Sequence, residues 1–284
     1  SGQGATMAKY VAAGVGVTLV TCTAGEEGEI LVPEEAHRAS DQDDTLAEVR
    51  REELAAAMRE IGVTDHRFLG GFGTYRDSGM AWHDQGHAVI GENIHERAFW
   101  IADLTEAADH LVAVIREVRP QVMVTYDQFG GYGHPDHIQA HRVAMYAAQL
   151  AAVPSYKSEL GEPWEIAKIY WGAMNATKVR EGLRHLRAAG DTTTFEGMDP
   201  EGPMPSFMVE EDLLSAAVNA NDYVEQKMAA LKAHRTQISV DGPFFALSNN
   251  MGNEIWGTEY FRIAKGALGP VGADGLEADL FAGL

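Results

Sequence analysis

The feature of this 284-residue chain that most limits its fold is a glycine-rich run that follows an apolar one. The largely apolar residues 122–126, Val-Met-Val-Thr-Tyr, predict a strand. Residues 130–137, Gly-Gly-Tyr-Gly-His-Pro-Asp-His, follow shortly after, and Pro135 suits the first position of a helix. In α/β proteins such a strand, loop and helix bring side chains and helix amides together at the carboxyl end of the strand. The sequence therefore predicts an α/β fold with a reactive site at this junction.

The first half of the chain supports this fold class. Its segments alternate between apolar runs and amphipathic stretches, which indicates βαβ units and a mostly parallel sheet. Helices are predicted at about 3–12, 44–61, 101–118 and from Pro135 onward, and strands at 15–23, 66–70 and 121–126. We therefore expect residues 1–150 to form a Rossmann-like, mostly parallel sheet with helices on both faces.

The pattern changes after about residue 150. An apolar segment predicts a strand at 168–171, and the polar stretch to about 207 predicts loops and short helices. A further helix is predicted at about 210–233. We therefore expect residues 151–284 to form a smaller, mixed α/β C-terminal lobe that completes a substrate pocket.

Composition excludes several classes of partner. The 22 Lys and Arg against 42 Asp and Glu give a net charge of −20, which argues against nucleic acids and anionic membranes as partners. Apolar runs are too short to span a bilayer, and the start lacks a signal pattern. Cys22 is the only cysteine and lies in a strand-like run, which predicts a buried thiol and fits a reducing cytoplasm. Nothing in the sequence indicates the oligomeric state.

Two histidines begin the helix that follows the glycine run. His134 and His137 are three positions apart, so both can face one site, with Asp136 beside them. Neutral imidazole is a common zinc ligand, whereas the alternative is that this turn merely caps the helix. Capping alone does not require two histidines. His141, one turn further on, is favoured as a packed or supporting residue, although it and Asp127 would be the next ligands to consider.

Other polar residues near predicted strand ends are open to two interpretations. Tyr132 would hydrogen-bond an oxyanion as a neutral phenol, or simply pack in its loop. Glu26, Glu27 and Glu29 follow the first predicted strand; either one of them would accept bonds from sugar hydroxyls, or the three form a solvated acidic loop. Arg50 is flanked by charged residues on a helix and would by default form a surface salt bridge.

Taken together, these segments resemble one known family. The strand, the Thr-Tyr-Asp that ends it, the run 130–137 and the following helix are similar to the second motif of the LmbE-like (PIG-L type) zinc N-deacetylases. Further similar segments cover nearly the whole chain: 21–29, 50–54, 76–80, 233–237, 246–250 and 279–284. Within the family they most resemble the branch that removes acetyl from N-acetylglucosaminyl-inositol in mycothiol biosynthesis.

The resemblance implies a role for each position that it matches. His137 would be a zinc ligand, with iron as the alternative metal. His134 would act as general acid or oxyanion stabiliser, Tyr132 would polarise the scissile carbonyl, and Asp136 would orient a histidine. The residues around the sugar and inositol would be Glu29, Arg50, Asp77 and Met80.

The resemblance also implies a reaction and a missing part of the site. We expect zinc-dependent hydrolysis of N-acetylglucosaminyl-inositol to glucosaminyl-inositol and acetate, with the sister amidase that cleaves mycothiol S-conjugates as the close alternative. The family's first motif, Ala-His-Pro-Asp-Asp at the end of a first strand, supplies two further zinc ligands and the catalytic base, and we expect it before Ser1. A chain that truly began at Ser1 would be a non-catalytic sugar-binding remnant.

Overall fold

The structure, a computed structural model, describes residues 2–84 and 86–284. Its helices are α1 (Gly4–Ala12), α2 (Leu46–Ile61), α3 (Leu104–Val118), α4 (Gly130–Gly133), α5 (Pro135–Ala151), α6 (Ala176–Ala188), α7 (Val224–Ala233) and α8 (Pro243–Met251). Its strands are β1 (Thr18–Thr21), β2 (Asp65–Phe68), β3 (Ala81–Trp82), β4 (Ala88–Val89), β5 (Val122–Thr125), β6 (Lys168–Ala173), β7 (Ala216–Asn219) and β8 (Thr258–Lys265). The mixed α/β class is confirmed.

Within these described residues the strands form three sheets. β1 pairs in parallel with β2, while β3 and β4 form a short antiparallel hairpin. β5 pairs in parallel with β6, and the sheet continues through antiparallel β8 to β7. The parallel strands are thus divided between two sheets rather than joined in the single one that the sequence predicts.

The same helices pack against both parallel strand pairs. Residues of α3 and α5 share one hydrophobic cluster with Val20 of β1 and another with Met123 of β5. α1 likewise contributes Val11 to the cluster around Leu19 of β1, and Tyr10 to the cluster around β6 and β8. Because single helices reach both parallel strand pairs, the two pairs belong to one packed body.

Local signals account for the helices of the first half. Gly62 ends α2 with a φ of 76°, a left-handed conformation that favours glycine. Asp103 caps α3 by accepting hydrogen bonds from the N–H groups of Thr105 at 2.8 Å and Glu106 at 2.9 Å. Pro135 is the first residue of α5, as predicted. These boundaries are set by neighbouring residues, which is why the sequence locates them.

The C-terminal part corrects two predictions. The helix predicted at 210–233 is wrong over its first half, because residues 216–219 form β7 and α7 begins at Val224. Ala216 and Val218 are fully buried against Phe261 of β8, so pairing with that strand outweighs the helix propensity of the alanines. The stretch predicted as loops and short helices contains α6, a 13-residue helix.

The division near residue 150 and the strand before Ser1 stay predictions. Ser1 itself lies outside the described residues, and the pairing of β5 with β6 crosses the expected division. In the ranges that the structure covers, no helix has both the length and the apolar character needed to cross a membrane. Cys22 directly follows β1 and is half-buried, and burial raises the pKa of its thiol to about 12.

Candidate active site

The glycine-rich turn at the end of β5 is organised by Asp127. This buried carboxylate accepts hydrogen bonds from the N–H groups of Phe129 at 3.1 Å and Gly131 at 2.9 Å. Gly130 has a φ of 65°, and a Cβ on it would lie 2.7 Å from the main-chain N of Ile138. The turn therefore lies directly against the start of α5 because it carries glycine. Asp127 shapes the turn.

His137 is held in one tautomer by this turn. Its Nδ1 lies 3.1 Å from the carbonyl O of Gly130, which only accepts, so Nδ1 carries the hydrogen. Burial and the neighbouring His134 lower the pKa of His137 to about 4, and the ring is neutral near pH 7. The Nε2 lone pair is left to accept a hydrogen bond or bind a metal.

His134 is held in a complementary way. It is the N-cap of α5, and its Nδ1 accepts a hydrogen bond from the main-chain N of Asp136 at 3.2 Å. The hydrogen of the neutral ring is therefore on Nε2, which lies 3.9 Å from a carboxylate oxygen of Asp77. Burial lowers the pKa of His134, with Asp77 opposing, and the geometry presents a neutral N–H donor.

Tyr132 projects from the turn between these histidines and the β3–β4 hairpin. Its ring meets those of His137 and His134 edge-on, with centroids 5.2 and 6.1 Å away. Its other contact is the indole of Trp82, stacked at 5.9 Å. Burial, followed by the carboxylates of Asp77 and Asp136, raises the pKa of Tyr132 to about 12, so the phenol keeps its proton at neutral pH.

The carboxylate of Asp136 holds the neighbouring segment 76–80 in place. It accepts hydrogen bonds from the main-chain N of Ser78 at 3.0 Å and from the Ser78 hydroxyl. Burial raises the pKa of Asp136; the Ser78 bonds oppose this, and the nearby Asp77 adds to it. The resemblance assigned Asp136 to orienting a histidine. In the structure its main-chain N–H contacts His134, while its carboxylate fixes the 76–80 segment beside the histidines.

Arg50 fixes the acidic loop after β1, and Glu26 joins this loop to the site. This arginine is only 6% exposed, and its guanidinium donates to the carbonyls of Gly25 and, at 2.8 Å, Glu29. Arg50 is therefore not a surface salt-bridge residue. A Cβ on Gly28 would lie 2.2 Å from its Nη1, so glycine is required for this close approach. Buried Glu26 accepts the N–H of Asp77 at 2.9 Å, which connects this loop to the 76–80 segment.

The remaining predicted residues lie at the periphery. The side chains of Glu29 and Met80 are exposed, and Met80 follows Gly79, whose φ is 64°. His141 contacts the site indirectly, because its Nδ1 lies 2.9 Å from the carbonyl O of Tyr126 and the Tyr126 ring stacks on His137 at 4.0 Å. His141 thus supports the residue that covers His137.

The fit of these residues to a metal ion is limited to one histidine. His137 fits a metal ligand, since its Nε2 is unprotonated and its Nδ1 is bonded to a carbonyl. Across residues 2–84 and 86–284, however, no group of three or more His, Cys, Asp and Glu side chains is positioned to hold a metal ion. A catalytic zinc usually has three protein ligands, so these residues do not complete such a site.

Sequence reasoning missed three contributors to the site. Ser78, Tyr126 and Trp82 each contact a predicted residue, but none was singled out. Ser78 stands in the 76–80 segment and Tyr126 ends the strand before the glycine run, so both had a positional signal. Trp82 had no such signal, because Tyr132, on which it stacks, lies 50 positions away in sequence.

Comparison with known proteins finds one family and several similar deacetylases. Residues 1–148 match the family described as PIG-L, GlcNAc-PI de-N-acetylase. The chain is 71% identical over its whole length to a 1D-myo-inositol 2-acetamido-2-deoxy-alpha-D-glucopyranoside deacetylase from a Nocardioides species, covering 94% of that protein. A Kribbella flavida protein of the same name is 62% identical over 99% of this chain and 93% of its own. Among solved structures, the N,N'-diacetylchitobiose deacetylase of Pyrococcus horikoshii has a TM-score of 0.58 at 20% identity, covering 92% of this chain and 78% of its own.

Proposed function

Because the chain belongs to the PIG-L family of GlcNAc-PI de-N-acetylases, we propose that it deacetylates 1D-myo-inositol 2-acetamido-2-deoxy-α-D-glucopyranoside. The observation that carries the proposal is the 71% identity, over the whole chain, to a deacetylase of that name. The enzyme hydrolyses a linear amide, and the products are acetate and the free glucosaminyl-inositol of mycothiol biosynthesis.

His134 acts in this reaction as a hydrogen-bond donor to the oxyanion. To act as a general acid, a histidine must be protonated on both nitrogens. A neutral imidazole that lost its proton would become an unstable imidazolate anion. Protonating Nδ1 to make an imidazolium would break the bond that the ring accepts from the Asp136 N–H. Neutral His134 with its hydrogen on Nε2 instead matches the preorganised donors that stabilise tetrahedral oxyanions.

Tyr132 donates to the same acyl oxygen. Its phenol is protonated at neutral pH and lies beside both histidines. Two fixed donors at one oxygen favour the tetrahedral intermediate over the planar amide, because negative charge develops there only during the reaction. Asp136 keeps this arrangement in place by binding Ser78 across the site.

The sugar lies between the two loops that Glu26 joins. Asp77 stands beside His134, and Met80 lies further along the same segment. Glu29 has an exposed carboxylate that accepts hydrogen bonds from the ring hydroxyls. Arg50 does not touch the substrate but fixes the loop that carries Glu29. Arg50 therefore contributes to binding through this loop.

Metal dependence is typical of the family, and we propose His137 as a ligand, with zinc as the expected metal and iron as the alternative. The support is its neutral ring, whose Nδ1 is bonded to the Gly130 carbonyl so that Nε2 is unprotonated. Since the described residues complete no metal site, the steps assigned above rest on His134 and Tyr132 alone.

For the fold, we propose that β1–β2 and β5–β6 are parts of one Rossmann-like layer, because α1, α3 and α5 each pack against both pairs. The division into residues 1–150 and 151–284 and a cytoplasmic location are kept as predictions.

The deciding experiment compares two substrates on one preparation. We expect acetate release from N-acetylglucosaminyl-inositol with a kcat/KM at least tenfold above that for cleavage of a mycothiol S-conjugate. The reverse preference would assign the chain to the sister amidase. Binding of glucosaminyl-inositol without turnover of either substrate would support a sugar-binding protein instead.

A further inference from the structure

The β3–β4 hairpin is seated against the glycine turn of the site. Gly133 has a φ of 98°, and a Cβ on it would lie 2.5 Å from the carbonyl O of Ala88 and 3.3 Å from its N. Ala88 belongs to β4 and is only 2% exposed. The hairpin therefore touches the backbone immediately before His134, at the edge of the site.

Trp82 is the most prominent side chain of this hairpin. It is 62% exposed, although one face of its indole stacks on Tyr132, with 29° between the ring planes. A large aromatic residue that is stacked on a site residue and still mostly exposed presents apolar surface beside that site. Pockets for small molecules are commonly lined by such rings.

Met80 comes just before this hairpin. It lies two positions before Trp82 and immediately precedes β3. Met80 is also exposed, at 39%. Two large apolar side chains close in sequence are thus exposed where the hairpin begins.

We propose that Trp82 is a specificity-determining residue whose exposed indole surface stacks on the inositol ring of the substrate. The proposal rests on the proposed function and deepens it by assigning a residue to the ring that does not react. A cyclitol or pyranose ring has C–H groups on its faces, and an aromatic face packs against these while the hydroxyls stay in water.

The order of the side chains favours the inositol ring over the acetamide as the partner of Trp82. The acyl oxygen must reach the donors on His134 and Tyr132, whereas Trp82 lies on the far side of Tyr132, at 5.9 Å between ring centroids. The proposal therefore places the acetylated sugar near Tyr132 and the next ring against Trp82.

Stacking on substrate and positioning of Tyr132 make different predictions. If Trp82 only held Tyr132, its removal would lower kcat for every substrate, because Tyr132 contacts the reacting group. If Trp82 binds the remote ring, its removal raises KM only for a substrate that has this ring. N-acetylglucosamine, which lacks the inositol, separates the two cases.

The experiment measures kcat and KM of wild type, Trp82→Ala and Trp82→Phe with N-acetylglucosaminyl-inositol and with N-acetylglucosamine. For Trp82→Ala we expect kcat/KM to fall about fivefold to tenfold with the inositol substrate, mainly through KM, the range that an aromatic contact of this kind contributes. We expect less than twofold change with N-acetylglucosamine, and partial rescue by Trp82→Phe. Leu213→Ala, which removes an apolar side chain that is 52% exposed in the turn before β7, is the matched control.

A second measurement does not depend on turnover. The dissociation constant for glucosaminyl-inositol, determined by isothermal titration calorimetry, should rise by the same factor in Trp82→Ala and stay unchanged in Leu213→Ala. Equal losses of kcat/KM with both substrates, or an unchanged dissociation constant, would overturn the stacking proposal. A wild type that releases no acetate would instead refute the proposed function, and the calorimetry would still test Trp82.

Discussion

The contact between Gly133 and the β3–β4 hairpin predicts the effect of a single added methyl group. In Gly133→Ala the new Cβ would meet the Ala88 carbonyl O at 2.5 Å, and this atom belongs to buried backbone that cannot rotate away. The φ of 98° is also unfavourable for alanine. Gly190→Ala is the matched control, because Gly190 has a φ of 91° but nothing within 4 Å of its Cβ position.

The two variants separate backbone strain from steric overlap. A left-handed conformation costs a non-glycine residue about 2 kcal/mol, which is all that Gly190→Ala should lose. Overpacking adds about 2 kcal/mol more, so Gly133→Ala should lose about 4 kcal/mol. At about 2 °C per kcal/mol for a chain of this size, Tm should fall by about 4 °C in the control and about 8 °C in Gly133→Ala.

Activity gives the sharper contrast. His134 follows Gly133 directly, so relief of the overlap moves either the hairpin or the donor at the oxyanion. A displacement of about 1 Å at such a position is able to cost about 10²-fold in rate. We therefore expect kcat for acetate release to fall about 10²-fold in Gly133→Ala and to be unchanged in Gly190→Ala. Equal Tm values for the two variants together with wild-type kcat in Gly133→Ala would refute the contact and the role that we give it.

Further predictions concern the histidines and the C-terminal segment. His137→Ala should lose bound metal, as measured by elemental analysis. His134→Ala should keep its metal and lose kcat by about 10²-fold to 10³-fold, the usual effect of removing an oxyanion donor. Equal metal loss in the two variants would contradict this division of roles. Tyr132→Phe should have a lower kcat but unchanged binding affinity, measured by calorimetry with the product. A raised KM with unchanged kcat would contradict the role of Tyr132 as a donor. Glu277 is fully buried, which raises its pKa, but hydrogen bonds from Lys168, at 2.6 Å, and from Tyr170 outweigh burial and hold the pKa below its ordinary value. A carboxyl with a depressed folded-state pKa contributes stability that is present above its unfolded pKa, about 4.3, and is lost as pH falls through the folded pKa. Thermal unfolding from pH 3 to 7 should therefore show a smaller acid-side loss of Tm in Glu277→Gln than in wild type, and parallel curves would contradict the assignment.

Much of the first half of the fold is determined by local sequence. The periodic apolar positions of α3, its cap at Asp103, the left-handed Gly62 and the helix start at Pro135 involve only residues a few positions apart. The glycine run and its two histidines also identify the site, because the loop and the first turn of α5 are contiguous in sequence. Such features are predictable because short-range sterics and hydrogen bonds decide them.

Tertiary contacts decided the rest. Residues 216–219 are a strand because β8 is available to pair with them, although their local composition favours a helix. Arg50 is buried because the glycines of a loop 25 positions earlier admit its guanidinium. The tautomer of each histidine depends on which backbone group meets its Nδ1, and Asp136 reaches Ser78 across 58 positions. The sequence by itself therefore indicated the glycine run and its two histidines as candidate site residues. Only the packing of distant segments decided which nitrogen of each histidine carries the proton and which side chains surround them, because burial and hydrogen-bond partners exist only in the folded chain.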